Sequence, residues 1–364
     1  MSPTSPSAAP APAPPVAPFL RAARGLPVER TPVWFMRQAG RTLPEYRRLR
    51  ERWTLLEMCA DAELCAEVTL QPMRRMPLDA AVMFGDIMVP LQGAGVELDI
   101  VEKVGPVIAH PIRDLAGVER LRPLVPERDV PAIIEAVRLV RAALPAERTV
   151  LGFAGAPFTL ASYLIEGRPS KDFARTKAMM HGAPELWGAL MARLVDVVVP
   201  FLQANVAAGA GAVQLFDSWV GALSAGDYAA HVRPWTRQIL ARLRALDVPV
   251  VHFGTGTAHL LDQIAEDGGT VIGLDWRVPL DEAWARVGHH LGVQGNLDPA
   301  ILCAPWPAVE AAATDVLRRA AGRAGHGFNL GHGRLPQTPV EHVERLVDLV
   351  HAHRPATPPT GTVA

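Results

Sequence analysis

The sequence predicts an α/β protein with a single (β/α)8 barrel, the TIM-barrel fold, and three observations lead to this prediction. Short apolar runs rich in strand-forming residues recur along the 364 residues, and a helical stretch follows each run. Eight such runs occur, which is the number that a closed barrel needs. Neither a change in composition nor a Gly/Ser-rich linker divides the chain, so we expect one domain. A doubly wound open sheet is the alternative.

The predicted elements are spread evenly through the chain. The eight strands are predicted at 33–36, 80–84, 150–153, 212–216, 249–253, 271–274, 291–294 and 327–330. Between two of them, residues 131–144 place apolar side chains at helical spacing. Ser224 and Asp227 have the spacing of a capping box, which predicts a helix beginning there. The segment 96–108 contains Gly105-Pro106 and predicts a hairpin inserted after the second strand.

Two tails are predicted beside this barrel, which occupies residues 19–354. Residues 1–18 are rich in proline and alanine, and we expect them and residues 355–364 to be disordered. The N-terminal segment lacks the charged and apolar regions of a secretory signal. No apolar run reaches the roughly 18 residues of a membrane span. We therefore expect a cytoplasmic protein with no membrane association.

The cysteines agree with a reducing compartment. Cys59, Cys65 and Cys303 form neither a disulfide framework nor a zinc-binding spacing. We interpret all three as small, buried, apolar side chains.

The charged residues exclude one class of partner and one class of chemistry. The chain has 36 basic and 37 acidic residues, whereas a nucleic-acid-binding protein would carry a basic excess. Lys103, Lys171 and Lys177 are its only lysines, and none follows a predicted strand. A site at the strand ends would therefore exclude Schiff-base and pyridoxal phosphate chemistry.

The residues that follow the predicted strands have the composition of a ligand pocket, with glycines, aromatic rings and single polar groups. Arg37 and Arg41 could bind carboxylates through paired hydrogen bonds, although a salt bridge is the alternative. Asp86 ends an apolar run, where a carboxylate needs hydrogen-bond donors or a cation, or else caps the next helix. His332 lies between two glycines and has either an acid/base or a structural role.

The sequence predicts no metal site. A site of two histidines and one carboxylate cannot be assembled from the strand ends, because only His252 and His332 lie near them. We interpret other histidines, including His231 and His259, as helical residues without partner spacing. The segment after residue 253, Gly254-Thr-Gly256, lacks the third glycine of a phosphate-binding G-x-G-x-x-G motif.

Seven motifs resemble those of the uroporphyrinogen decarboxylase family. PVWFMRQAGR (32–41) is similar to its first signature, and GFAGAPFTLASY (152–163) is similar to its second. Its other blocks are matched in order by FGD (84–86), FDSW (216–219), GLDW (273–276), QGNLDP (294–299) and NLGHG (329–333). The resemblance covers about residues 18–353.

This resemblance implies a carboxy-lyase of haem biosynthesis that converts uroporphyrinogen III to coproporphyrinogen III. It further implies a TIM barrel, catalysis without metal or organic cofactor, a small-molecule tetrapyrrole substrate and a homodimer. By the family match, Asp86 accepts hydrogen bonds from pyrrole N–H groups and stabilises a pyrrole cation. Arg37 and Arg41 bind substrate carboxylates, and Arg37 is also a candidate proton donor.

The match implies six further substrate-binding residues: Gln38, Ala39, Gly40, Tyr163, Ser218 and His332. Two alternatives are open. A zinc-dependent methyltransferase on the same scaffold would need thiolates or imidazoles clustered at the strand ends. A tetrapyrrole-binding protein without catalytic activity would need the pocket but not Asp86.

Overall fold

A computed structural model describes residues 16–40 and 42–354 and shows a curled parallel sheet at its centre. The strands in the described residues are β1 (Ala80–Val82), β2 (Leu98–Val101), β3 (Gly105–Ile108), β4 (Thr149–Gly155), β5 (Ala212–Asp217), β6 (Val250–Gly254), β7 (Val271–Gly273), β8 (Gly292–Leu297) and β9 (His326–Leu330). Seven of them, β1 and β4 to β9, pair in chain order, each parallel to the next. Their carboxyl ends therefore lie together at one edge of the sheet.

A small antiparallel pair, β2 and β3, lies apart from this sheet. Leu98 pairs with Ile108, and Val101 pairs with Gly105. Both strands fall within the segment 96–108, where the sequence predicts a hairpin.

Helices connect successive strands of the parallel sheet. Those in the described residues are α1 (Pro18–Ala23), α2 (Pro44–Arg50), α3 (Leu55–Cys59), α4 (Ala62–Arg75), α5 (Val89–Gly93), α6 (Leu115–Arg120), α7 (Pro126–Asp129), α8 (Pro131–Ala143), α9 (Pro157–Glu166), α10 (Ala174–Gly182), α11 (Pro184–Ala207), α12 (Ala225–Asp227), α13 (Arg233–Arg244), α14 (Leu261–Glu266), α15 (Leu280–Val287), α16 (Trp306–Ala320) and α17 (Val340–Ala352). Residues Val220–Ala222, Ala258–Leu260 and Pro299–Cys303 form 3₁₀ turns, and Tyr228–Val232 forms a π-helix. In α8, Ile133, Ile134 and Val137 are buried, which is the apolar face that its sequence predicts.

The first predicted strand, 33–36, forms one parallel bridge instead of a strand. Val33 bridges Phe328 of β9, and its carbonyl oxygen accepts a hydrogen bond from the Asp79 amide, 2.9 Å away, just before β1. The following amides bond to side chains: that of Phe35 donates to Gln38 Oε1 and that of Met36 to Asn329 Oδ1. Strand pairing cannot extend because these donors are already used. The segment nevertheless connects the two edge strands.

Side chains on the inner face of the sheet form a small cluster of their own. Trp34, Val82, Leu151 and Phe253 pack together there, and Phe19 of α1 joins the same cluster. Polar groups also cross this interior: Trp34 donates from Nε1 to Gln294 Oε1 at 2.9 Å. The outer face is covered by the helices and forms the largest apolar core.

Some predictions at the ends and surface of the chain differ from the structure or lie outside it. Residues 1–15 and 355–364 of the two predicted tails lie outside the described residues, and α1 begins at Pro18. Cys59 and Cys65 are buried as predicted, but Cys303 is exposed because it ends a 3₁₀ turn on the surface. None of the helices in the described ranges combines the length and apolar character that a transmembrane segment needs.

Candidate active site

An open cavity lies at the carboxyl ends of the strands, where parallel barrels place their chemistry. Its empty space, together with the adjoining solvent at its opening, is about 1240 Å³. The loops after β1, β4, β5 and β9 and the segment 36–40 supply most of its wall. The cavity is lined by Met36, Arg37, Ala39, Gly40, Tyr46, Leu55, Val82, Met83, Phe84, Gly85, Asp86, Ile87, Phe153, Thr159, Tyr163, Phe216, Ser218, Trp219, His332 and Gly333.

Asp86 lies on this wall, four residues beyond the end of β1. Its Oδ1 accepts a hydrogen bond from the Met88 amide at 3.0 Å, in a turn that precedes α5. Met88 is the residue at the N-cap of α5, and Asp86 supplies a capping-type hydrogen bond from just outside the helix while it also lines the cavity. The aromatic rings of Phe84, Phe153 and Phe216 line the same cavity. The arrangement exposes one carboxylate to a ligand within an apolar wall.

The charge of Asp86 acts on its neighbour Tyr163. Burial raises the pKa of the Tyr163 phenol well above its usual value, and the negative charge of Asp86 raises it further, while Arg37 has the opposite effect. Tyr163 therefore keeps its proton at neutral pH and can donate a hydrogen bond. Its ring packs on Trp219, with 4.1 Å between the ring centroids.

Arg37 lies in a loop whose backbone is held by a buried arginine. Arg37 has a φ of 62°, a left-handed conformation that is uncommon for a residue with a side chain. The guanidinium of Arg334 donates to the carbonyl oxygen of Arg37 at 3.1 Å and to that of Gln38 at 2.6 Å. The Arg37 side chain runs so close to Gly333 that a Cβ there would lie 2.6 Å from its Cδ. These contacts fix where Arg37 enters the cavity.

The segment 37–41 divides between cavity and core. Ala39 and Gly40 line the cavity. The Gln38 side chain is fully buried outside it, where its Oε1 accepts from the Phe35 amide and its Nε2 donates to the Ala80 carbonyl oxygen at 2.9 Å. Arg41 lies outside the described residues. The structure thus brings seven of the predicted site residues to one cavity: Arg37, Ala39, Gly40, Asp86, Tyr163, Ser218 and His332.

His332 contributes a neutral imidazole to the wall. Burial, aided by the positive charges of Arg37 and Arg277, lowers its pKa to about 4. The ring stacks on Phe253 with 6.1 Å between centroids. Its Nδ1 is buried and has no hydrogen-bond partner among the described residues. A buried polar atom of this kind is costly unless a ligand or water satisfies it.

The low pKa values of His332 and of the buried His326 predict how the stability of the fold depends on pH. The pKa of each is about 4 in the folded chain, against about 6.5 for a free histidine. Between these values the unfolded chain binds more protons, so stability is complete above pH 6.5 and decreases as the pH falls toward 4. We expect His332→Gln to flatten this decrease in urea unfolding measured across the range.

The matched control for this experiment is His290→Gln, at an exposed position. It should retain the wild-type dependence of the unfolding free energy on pH. If the unfolding free energy of His332→Gln depended on pH as steeply as that of wild type, the lowered pKa of His332 would be contradicted.

Sequence reasoning missed several residues of the site. Thr159 lines the cavity and its Oγ1 donates to the buried Asp217 at 2.8 Å, although the residue stands within a motif that the sequence analysis quotes. Trp219 lies in another quoted motif and also forms part of the wall. Arg334 and Tyr46 fall outside the quoted motifs, and no residue pattern around them indicates a role.

Comparisons with known proteins place this arrangement in a family. Residues 15–353 match the profile described as uroporphyrinogen decarboxylase (URO-D). A protein named uroporphyrinogen decarboxylase from Thermobifida fusca is 58% identical over 334 residues, covering 92% of this chain and 92% of its own length. A protein of the same name from Sorangium cellulosum is 55% identical, and the match covers 92% of this chain and 95% of the relative.

A solved structure supports the fold alone. It is a methyltransferase from Methanosarcina mazei with a TM-score of 0.76 and 20% identity, covering 91% of this chain and 96% of its own. The match of the profile to most of the chain and the high identity to named relatives lead to one conclusion. The chain belongs to the uroporphyrinogen decarboxylase family.

Proposed function

We propose that this protein removes CO2 from the four acetate side chains of uroporphyrinogen III, leaving methyl groups and producing coproporphyrinogen III. One observation carries the proposal beyond family membership. Among the described lining residues one carboxylate, Asp86, shares an open cavity and several aromatic rings with the guanidinium-bearing Arg37 and with neutral donors on Tyr163, Ser218 and His332. Such a site suits a ligand with N–H groups at its centre and carboxylates at its rim.

The chemistry requires a sink for the electrons that CO2 leaves behind. Protonation of a pyrrole at ring carbon makes a cation, and this cation accepts the electron pair as the C–C bond to the carboxylate breaks. The exocyclic methylene that results takes a proton and becomes the methyl group, and loss of the ring proton restores the pyrrole. No step calls for a lysine or for an added electron sink.

Asp86 is the group proposed to stabilise this cation. Its carboxylate accepts hydrogen bonds from pyrrole N–H groups, and its negative charge opposes the positive charge that develops on protonation. Placement among aromatic rings strengthens the attraction, because two unit charges at 4 Å interact by about 4 kcal/mol at an effective dielectric constant of 20. That energy corresponds to a rate factor of about 10³.

The other polar residues position the substrate. Arg37 binds a carboxylate and is the candidate proton donor, and Arg41 is proposed to bind a second carboxylate. Tyr163 and Ser218 donate hydrogen bonds from their hydroxyl groups, and the neutral ring of His332 offers its unsatisfied Nδ1. Gln38 is proposed to act through the backbone of its loop, since its side chain is buried in the core.

We also infer that the segment 33–36 completes an eight-unit barrel. It is bonded to the residue before β1 on one side and to β9 on the other, as the first unit of a closed barrel would be. A homodimer, implied by the resemblance, and a cytoplasmic location, predicted from the sequence, stay predictions.

The residues at the strand ends favour decarboxylation over zinc-dependent methyl transfer. His252 lies on the outer face of β6, away from Phe253 of the inner cluster, and is fully buried under the helices with its Nε2 3.9 Å from Asp217 Oδ2. Cys303 is exposed beyond β8. Neither of them lines the cavity. A binding protein without catalytic activity would not require the Asp86 carboxylate.

An anaerobic product assay tests the proposal. Purified protein is incubated with uroporphyrinogen III in the presence of a reductant, and the products are oxidised and separated by chromatography. We expect species with seven, six, five and finally four carboxylates, because each decarboxylation removes one carboxylate. Recovery of the eight-carboxylate starting material alone, from protein shown to be folded, would refute the proposal.

Arg334 supplies a prediction about positioning. Arg334→Met removes the donors to the carbonyl oxygens of Arg37 and Gln38, so the loop that carries Arg37 should shift. A 1 Å misplacement can cost about 10²-fold in rate, and we expect a decrease in kcat of about tenfold with a smaller change in KM. Arg334→Lys, which keeps a donor, should recover part of the loss. Equal kcat in wild type and Arg334→Met would contradict the role.

A further inference from the structure

A cluster of metal-binding side chains lies outside the cavity. His181 is in the last turn of α10, Asp227 ends α12, and His231 lies in the π-helix Tyr228–Val232. Nε2 of His181 is 3.5 Å from Oδ1 of Asp227, and the rings of His181 and His231 are 5.2 Å apart between centroids. One ligand atom from each residue can be chosen so that all three lie within 4.8 Å of one another.

We propose that His181, Asp227 and His231 form a binding site for one divalent transition-metal ion of the class that includes Zn²⁺, Ni²⁺ and Cu²⁺. Two imidazoles and one carboxylate suit these ions, whereas Mg²⁺ and Ca²⁺ prefer oxygen ligands alone. With bonds of about 2.0 to 2.2 Å, ligand atoms of a tetrahedral ion lie roughly 3.4 Å apart. A small movement of the exposed His181 side chain and of the half-buried Asp227 and His231 side chains would bring the three atoms to that spacing.

The carboxylate of Asp227 has an orientation that helix capping does not explain. The spacing of Ser224 and Asp227 predicts a reciprocal capping box, and the Asp227 amide does donate to Ser224 Oγ at 3.0 Å. The Asp227 carboxylate, however, lies beside His181 on a different helix. The carboxylate is thus directed at an imidazole of a neighbouring helix, as it would be in a shared ligand set.

Each of the two segments that supply the ligands is bonded to a neighbouring element. Trp187 Nε1 donates to the His231 carbonyl oxygen at 2.9 Å, which fixes the π-helix against α11. Lys177 Nζ of α10 donates to the Ala222 carbonyl oxygen at 2.8 Å. The ligands therefore meet at a scaffold that already has its shape, which lowers the entropic cost of binding an ion. π-Helical turns are also frequent at functional sites.

The ion would connect elements that support the cavity wall. Phe173 immediately precedes α10 and packs against Trp219, with 5.1 Å between ring centroids. Trp219 in turn packs on Tyr163 and lines the cavity. Binding would link α10 to residues 227–231, which follow Trp219 along the chain. The expected consequence is a more stable wall, with no role for the ion in the reaction itself.

Metal titration of the untagged protein tests the site. After treatment with a chelator and dialysis, the protein is titrated with Zn²⁺ by calorimetry and with Co²⁺ by visible absorption. We expect one ion per chain and Co²⁺ absorption bands in the visible region. His181→Ala should weaken binding by about tenfold or more, since even a supporting residue of a metal site is worth about 10- to 100-fold. His181 is exposed, so this variant should fold.

The control variant is His110→Ala. His110 Nε2 lies 3.4 Å from Glu97 Oε2 in an exposed pair. Among the described residues His110 belongs to no group of three side chains that could hold a metal ion. Its loss should leave Zn²⁺ affinity unchanged. Asp227→Asn supplies a second test, and Zn²⁺ should raise the melting temperature of wild type but not of the ligand variants. Wild-type affinity in His181→Ala, or an equal loss in His110→Ala, would overturn the proposal.

Discussion

Asp86→Asn should reduce the decarboxylation rate by about 10³-fold while leaving the fold intact. The change removes one negative charge and keeps the size and shape of the side chain. The amide oxygen can still accept the hydrogen bond from Met88, so the turn before α5 should be preserved. What disappears is the anion opposite the pyrrole cation, and loss of a charge-stabilising group of this kind typically costs about 10²- to 10³-fold or more.

The measurement is the anaerobic formation of seven- to four-carboxylate products, with initial rates at saturating substrate. Circular dichroism and thermal unfolding check that the variant is folded. Asp99→Asn is the matched control, because Asp99 is exposed in the β2–β3 hairpin and should leave the rate unchanged. A rate within tenfold of wild type for Asp86→Asn would exclude an essential anion at this position.

A second consequence of Asp86→Asn concerns Tyr163. The negative charge of Asp86 contributes to raising the pKa of the Tyr163 phenol, after burial. Neutralising Asp86 should therefore lower the pH at which Tyr163 ionises, and ultraviolet difference spectra of the phenolate can follow this change. Since the readout does not depend on turnover, it separates the electrostatic effect of Asp86 from its effect on catalysis.

The position of Asp86 could be predicted because it closely follows a short apolar run, with one glycine between them. A run such as 80–84 indicates a buried strand, and the residues after parallel strands gather at one edge of the sheet. The same argument places Ser218 and His332 near Asp86 once the order of strands is known, whereas Tyr163 lies within α9 and was predicted from the family resemblance alone. Residues in this class need only a correct strand assignment, and the structure has them in one cavity.

Loops are harder to predict because side-chain direction depends on backbone angles that the pattern does not contain. Arg37 and Gln38 are adjacent, yet Arg37 lines the cavity and Gln38 is buried in the core. The left-handed conformation at Arg37 contributes to this division, and a non-glycine residue gives no sign of it in the sequence. The predicted strand 33–36 was wrong for a related reason, since distant side chains satisfy its backbone donors.

Contacts between residues that are distant in the sequence are the third kind of feature, and the sequence did not predict them. Arg334 is 297 residues from Arg37, and an arginine in a loop gives no periodic signal of the carbonyl groups it will bind. His181 and His231 likewise lie on separate helices. The prediction that His231 has no partner rested on spacing along the sequence, and such spacing does not reveal a neighbour on another helix. Asp227 was four residues away, but its relation to His181 required the packing of α10 to be known.

Arg37→Lys should reduce kcat/KM by about 10²-fold, the second-largest effect that we predict. Lysine keeps the positive charge, and it meets the same φ of 62° at this position as arginine does, so the backbone should not relax. It cannot reproduce the planar fork that binds a carboxylate through two hydrogen bonds. The expected loss thus isolates guanidinium geometry from charge.

The control is Arg237→Lys on α13, where the side chain is exposed and the rate should not change. Separate values of kcat and KM distinguish the two proposed roles of Arg37. A carboxylate anchor alone would raise KM and leave kcat intact, because its binding energy is the same in ground and transition states. A group that also delivers a proton acts in the transition state, so kcat at saturating substrate should fall as well. Wild-type values for both parameters would remove Arg37 from the mechanism and leave Asp86 as the charged group on which catalysis depends.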